Sequence, residues 1–179
     1  MTNFSTLQDA RIYVGTYAKY NNGSIFGKWL DLSDYSDKEE FEEACCELHK
    51  DEEDPELMFQ DWENIPSELI SESWLSDDFF EIRDAVDDLS EIEKEAFQVF
   101  LKIYSFSWSD AVYLIGKFIN SFQGSYNSKE DFAQELFDEC YLHEVPEKIR
   151  YYIDYEAFAR DLFLDGYSYG SGFVFNDNF

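Results

Sequence analysis

The sequence predicts an α+β fold built from three small segments. Three observations predict it. Apolar residues make up 45% of the 179 and aromatics 20%, enough to fill a core. Arg11–Tyr17 alternates with a period of two, and "SIFGKWLDL" from Ser24 follows it. From Asp37 onward the apolar spacing changes to that of helices.

The elements follow in order. "NNG", Asn21 to Gly23, is a turn signal between two β-patterned runs, so a β-hairpin is expected. In the next stretch Phe41, Ala44, Cys45 and Leu48 fall at i, i+3, i+4 and i+7, one face of a helix over 37–48. A short strand near Leu57–Trp62 completes a ββαβ unit over residues 1–66. Residues 67–108 read as acidic helices. Ser76 is the expected cap of a helix whose apolar face is Phe79, Ile82, Ala85, Val86 and Leu89. Ser90 and Glu93 form a capping-box pattern before "EKEAFQVFLKIYSF". Residues 109–179 form a C-terminal α+β unit. A helix starts at a Ser109 cap, and "SFQGSY" reads as a strand. Ser128 caps a helix with Phe132, Leu136 and Cys140 on one face. Pro146 opens a short helix, Asp154 caps another, and "GYSYGSGFVF" reads as turn plus strand. Aromatic positions such as Trp29, Trp62, Phe100 and Tyr152 are expected in the core.

Charge is the strongest signal. Forty acids against 13 bases give −27. Residues 1–36 are neutral, 37–95 hold −20 and 96–179 hold −7. Such a field repels nucleic acid and anionic membranes and attracts basic protein surfaces. The plainer reading is a merely soluble acidic protein. Acids in first helical turns, such as Asp77, Asp78, Glu91 and Glu93, also suit the helix dipole.

Other chemistry is weakly signalled. "GYSYG", Gly166 to Gly170, matches G-x-S-x-G. A nucleophile elbow needs a strand before the Ser, a helix after it and a later His, and no His follows Ser168. Cys45, Cys46 and His49 could approach one ion, but adjacent helix residues point about 100° apart, and Cys45 belongs to the apolar face. "DEEDPE" does not fit a calcium loop. Forty acids supply many carboxylate pairs of the kind glycosidases use, so no single pair is informative. No cofactor motif is present. Three cysteines, two adjacent, make no disulfide framework. "MTNFSTLQDARIYVG" lacks a basic n-region and a long apolar run, so a cytoplasmic location is expected. "NFS" and "NGS" match a glycosylation pattern that matters only on secretion.

Duplex DNA carries one negative charge per ~1.7 Å of axis, so 27 net charges correspond to at most ~46 Å of duplex. Acids at i, i+3 and i+4 stand about 5–6 Å apart on a helix. Carboxylates held by a fold can therefore approximate a phosphate pattern. The candidate surface comprises Asp37, Glu39, Glu40, Glu42, Glu43 and Glu47, then Asp51, Glu52, Glu53, Asp54 and Glu56. It continues through Asp61, Glu63, Glu68 and Glu72 to Asp77, Asp78, Glu81, Asp84, Asp87 and Asp88. Acidic chaperones or adaptors of basic proteins share this logic.

"IYVGTYAKYNNGSIFGKWLDL", Ile12 to Leu32, resembles the opening of the ArdA-type antirestriction proteins. Asp61-Trp62-Glu63 in "MFQDWENIP" resembles the step that closes the family's first domain. "FQGSYNSKEDFAQELFDE" and "VPEKIRYYIDYEAFARDL" resemble its C-terminal third. Residues 67–108 match only in being acidic and helical, and the tail "GYSYGSGFVFNDNF" departs from the pattern. The resemblance covers about three quarters of the chain. It implies an elongated DNA mimic, three small domains in a row, acting as a homodimer. It further implies inhibition of type I restriction–modification enzymes by occupying the DNA-binding groove of the methyltransferase core. No catalytic residue, metal or cofactor is implied, and neither nucleic acid nor membrane is a partner. The family's antirestriction motif maps onto Glu130–Leu142, with Glu130, Asp131, Glu135, Asp138 and Glu139 as its acids. The dimer contact is placed near Phe122–Tyr126, through Phe122, Gln123, Ser125 and Tyr126; the alternative is that these aromatics are simply core.

Overall fold

The computed structural model describes residues 7–179. The sequon at Asn3–Ser5 and the start of the N-terminal segment lie outside the described residues. The chain is mixed α+β and divides into two compact units. One runs to Gln98 and takes in Phe106–Ile115; the second comprises Val99–Ser105 and Gly116–Phe179.

The first unit is founded on three antiparallel strands, β1 (Arg11–Thr16), β2 (Lys28–Asp31) and β3 (Leu57–Glu63), in the order β2-β1-β3. The central strand buries Ile12 and Val14 completely. Ile12 faces Leu30 on one side and Trp62 on the other, and a bulge on the β3 side falls between Tyr13 and Val14. The expected pairing of the first two runs is present, but their connection is not a hairpin turn. Thr16 caps a five-residue helix, α1 (Tyr17–Asn21), by accepting from the Lys19 amide at 3.2 Å. The "NNG" signal closes that helix: the Asn22 amide returns to the Ala18 and Lys19 carbonyls, and Gly23 to Tyr20. A cap at the end of the strand diverts the chain before the turn residues are reached.

Helix α2 (Lys38–Leu48) starts where the sequence places it. Asp37 Oδ1 accepts from the Glu40 amide at 2.9 Å. Phe41 and Cys45 are fully buried, and Phe41 lies 6.0 Å from the Phe59 ring of β3. Burying a side chain of this size contributes roughly 1.5–3 kcal/mol, enough to outweigh the repulsion along the outer face.

Two short strands, β4 (Ile70–Ser71) and β5 (Trp74–Leu75), stand before α3 in a stretch whose sequence pattern predicts only helices. Helix α3 (Phe79–Asp87) begins three residues beyond Ser76. Ser76 instead accepts from the Asp78 amide at 3.3 Å and organises the turn before the helix. Its apolar face is otherwise as expected, with Phe79, Ile82, Val86 and Leu89 buried. The capping box of α4 (Glu91–Tyr104) is reciprocal: the Ser90 amide donates to Glu93 at 2.9 Å, and the Glu93 amide to Ser90 Oγ at 3.4 Å. The cap expected at Ser109 moves to Ser107, because a 3-10 turn, Trp108–Asp110, precedes α5 (Ala111–Ser121).

The second unit has a sheet of β6 (Phe122–Ser125), β7 (Tyr167–Gly170) and β8 (Phe173–Asn176), in the order β6-β8-β7. Phe100, Phe118 and Phe175 are fully buried beside it, and Phe122 stacks on Phe118 at 5.4 Å. The tail is a hairpin rather than turn plus strand. Ser171 and Gly172 both take positive φ, 51° and 89°, and join Gly170 to Phe173 in a two-residue turn. Helices α6 (Lys129–Cys140) and α7 (Tyr155–Leu162) carry the expected caps. Ser128 accepts from the Asp131 amide at 3.0 Å, and Asp154 from the Ala157 amide at 2.9 Å. The inner face of α6 is Phe132 and Ala133; Cys140 is exposed at the helix end. Pro146 opens a 3-10 helix, Glu147–Tyr152. Tyr152, expected in the core, is 80% exposed, since that short helix presents no buried residue.

Candidate functional site

The residues of the candidate surface lie in the first unit and face solvent. Of the 21 acids from Asp37 to Asp88 in that set, 20 are exposed and only Glu52 is half-buried. On α2 the cause is periodicity: with Phe41 and Cys45 inward, Glu39, Glu42, Glu43 and Glu47 are turned outward and share one exposed helix face with Cys46. Asp61 and Glu63 project from β3, and Glu81, Asp84 and Asp87 from the outer side of α3. The unit carries 28 acids against 7 bases, a net of −21. Glu91 and Glu95 are also exposed and extend the surface into α4, beyond the sequence-based set.

Six of the seven bases are engaged with carboxylates. Arg11 meets Glu63 at 2.8 Å, Lys50 meets Glu47 at 2.6 Å and Arg83 meets Asp84 at 2.7 Å. Lys19 lies between Asp51 (2.8 Å) and Glu52 (3.2 Å), and Lys94 between Glu91 (3.0 Å) and Asp87 (3.3 Å). Lys38 reaches Asp77 and Glu42. Arg83 is buried and donates to the carbonyls of Leu32 (2.7 Å) and Tyr35 (3.0 Å), tying α3 to the segment that leads into α2.

Several carboxylates are fixed in their charged form. The Ser36 amide and hydroxyl hold Glu40 below its ordinary value, and the Ser90 hydroxyl and amide do the same for Glu93. The hydrogen bond from Lys19 lowers Asp51. Burial opposes the charge on Lys19, but its bonds to Asp51 and Glu52 prevail and raise it.

His49 is fully buried beneath this cluster. Lys19, a donor only, gives a hydrogen bond to Nδ1 at 2.9 Å, which leaves the Nε2 proton for the Val14 carbonyl at 3.3 Å. Burial, then the neighbouring ammonium, keeps the imidazole neutral. Both ring nitrogens are thus occupied by protein groups. Cys45 is buried, its thiol pushed up to about 12 by burial, while Cys46 is exposed. The three side chains do not converge on one point, and among the described residues no His/Cys/Asp/Glu group is arranged to hold a metal. Ser168 sits within β7 opposite Phe175, with a hairpin turn after it, so of "GYSYG" Gly166 lies in a turn and Tyr167–Gly170 form strand, and there is no elbow.

The acids of the expected motif lie on α6. Glu130, Asp131, Glu135 and Glu139 are exposed and Asp138 is half-buried. Tyrosines hold two of them: Tyr126 donates to Glu135 at 3.0 Å and Tyr155 to Asp138 at 2.6 Å. At the expected dimer contact, β6 is an edge strand. Gln123 and Ser125 are exposed, while Phe122 and Tyr126 are half-buried against Phe118 and Phe132. Among the described residues no helix is long and apolar enough to cross a membrane.

Fold and surface together define a small acidic α+β protein whose distinguishing chemistry is an array of solvent-facing carboxylates. Comparison with family models makes this particular. Residues 12–175 match the antirestriction protein ArdA, and the chain belongs to that family. Membership implies antirestriction through interaction with restriction enzymes, the role of an inhibitor rather than a catalyst. A search of curated proteins finds no match.

Proposed function

We propose that this protein is a DNA mimic that blocks the DNA-binding groove of type I restriction–modification enzymes. The observation that carries the reading is the outward set of carboxylates on the first unit, 20 of 21 exposed. Helix and strand geometry holds them at defined spacings, and capping and lysine bonds keep several ionised. A basic groove that neutralises such an array releases the ions condensed around both surfaces, as it does on duplex DNA. Complementary fields also speed encounter. The acids of α6 are a separate group of carboxylates on the second unit, and the protein acts in the cytoplasm as a homodimer joined near Phe122–Tyr126, where an edge strand offers unpaired backbone to a second copy.

The test is competition. The protein is titrated against a fluorescent target duplex bound to a type I methyltransferase core, at two salt concentrations. Stoichiometric displacement that weakens with salt supports mimicry. Absence of displacement at low salt by the folded protein refutes groove blocking and favours a chaperone or adaptor for another basic protein.

A further inference from the structure

Three lysines of the first unit share one arrangement. Lys19, Lys38 and Lys94 are each flanked by two carboxylates, and their side chains are only 15%, 24% and 12% exposed. Each joins separate pieces of the chain. Lys19 extends from α1 to the loop after α2. Lys38, at the start of α2, donates to the Leu75 carbonyl at 2.9 Å and to Asp77 on the approach to α3. Lys94 links the first turn of α4 to Asp87 at the end of α3.

A cation at the first residue of a helix opposes the dipole, so Lys38 is not placed there for α2 alone. Nor does it serve a field whose strength depends on net negative charge. What it does achieve is geometric. Two carboxylates that would repel are drawn to one ammonium, and the elements bearing them are fixed together. Lys28, in contrast, is exposed on β2 of the same unit.

We propose that Lys19, Lys38 and Lys94 are positioning residues of the acidic surface, each giving up one unit of charge to set the spacing of two carboxylates. This rests on the groove-blocking reading. A pre-ordered array binds better than a mobile one, because side chains left free must be immobilised in the complex.

The two accounts predict opposite signs. Lys28→Met, Lys38→Met and Lys94→Met each make the chain more acidic by one charge. If the field alone matters, all three compete with duplex as well as the wild type or better. If positioning matters, Lys28→Met does so, while Lys38→Met and Lys94→Met compete about threefold to tenfold less well. Lys38→Arg restores competition to within about twofold, since the charge and its donors are kept. Lys94→Met sits at a separate joint and decides the matter alone if Lys38→Met loses its fold. Equal competition by Lys28→Met and Lys94→Met overturns the proposal.

Amide exchange keeps this separate from the groove-blocking reading. In Lys38→Met the amides of residues 75–79 and of the first turn of α2 exchange at least about tenfold faster than in Lys28→Met. In Lys94→Met the same acceleration appears across Asp87–Glu91. Failure of the wild type to displace duplex refutes groove blocking, and these exchange rates still test the positioning. Unchanged exchange at both joints overturns it.

Discussion

Replacing Arg83 by Met tests how the acidic face is held. Arg83 is 6% exposed, and its guanidinium donates through one nitrogen to two carbonyls, Leu32 at 2.7 Å and Tyr35 at 3.0 Å. Leu32 is fully buried. Each such bond from a charged donor contributes roughly 1.5–3 kcal/mol, and its removal leaves a buried acceptor unsatisfied. The ion pair with Asp84 adds little, because that carboxylate is 60% exposed. Loss of the guanidinium from the Phe80 ring, 4.9 Å away, costs about 0.5–2 kcal/mol, part of which the Met side chain recovers by packing. The expected destabilisation is therefore roughly 3–5 kcal/mol, large for one substitution. Urea unfolding followed by tryptophan fluorescence measures it in the right place. Trp29, Trp62, Trp74 and Trp108 all belong to the first unit. A lower midpoint with an unchanged slope identifies loss of stability. The substitution also adds one net negative charge. At 1 M salt, where the Debye length is about 3 Å, a purely electrostatic loss fades and a hydrogen-bonding loss persists. A change below about 1 kcal/mol, or one abolished by salt, refutes the reasoning.

Further outcomes follow from the same geometry. Neutralising one exposed acid, as in Glu43→Gln, changes competition by less than about twofold, whereas neutralising six or more within Asp37–Asp88 weakens it about a hundredfold. One exposed acid whose loss abolishes activity in a folded protein argues for a specific site instead. His49 gives a pH dependence: its pKa lies below the ordinary 6.5, so the unfolded chain takes up the proton first. That contribution is complete above about pH 6.5 and is lost as pH falls below it, by at most about 1.4 kcal/mol per pH unit. His49→Gln removes the extra slope, and equal slopes in the two proteins refute the assignment. Gln123→Asp places like charges across a two-fold at the β6 edge, so the mass by analytical ultracentrifugation should fall to that of a monomer. An unchanged mass removes β6 from the dimer contact.

Much of the fold was legible because its causes are local. Asp37, Ser128 and Asp154 each cap an amide three residues on, and Ser90 and Glu93 complete their box over the same distance. The face of α2 follows from Phe41 and Cys45 at i and i+4, and the outward placing of its glutamates follows from that face. The errors also have local causes. Thr16 captures the chain into α1 before "NNG" is reached, and strands of two residues, β4 and β5, are too short to show a period. Tyr152 is an aromatic expected in the core, but a 3-10 helix with no buried residue leaves it 80% exposed.

The sequence by itself determined the net charge, its concentration in residues 37–95, the helix faces and most caps, because each depends on composition or on groups within a turn of one another. Only the tertiary structure decided which carboxylates are tethered. Lys38 and Glu42 share a helical spacing that can be read from the chain, but Asp77 lies 39 residues from Lys38 and Glu52 lies 36 from Thr16. His49 likewise owes its neutral form first to burial and then to Lys19, and its tautomer to the Val14 carbonyl, all brought to it by the packing of α2 on the sheet. Pairs of that kind have no characteristic spacing. They exist because burial of Phe41, Cys45 and the β1 side chains brings distant segments together, and the charged groups at the margins then settle on whatever partners the packing puts within reach.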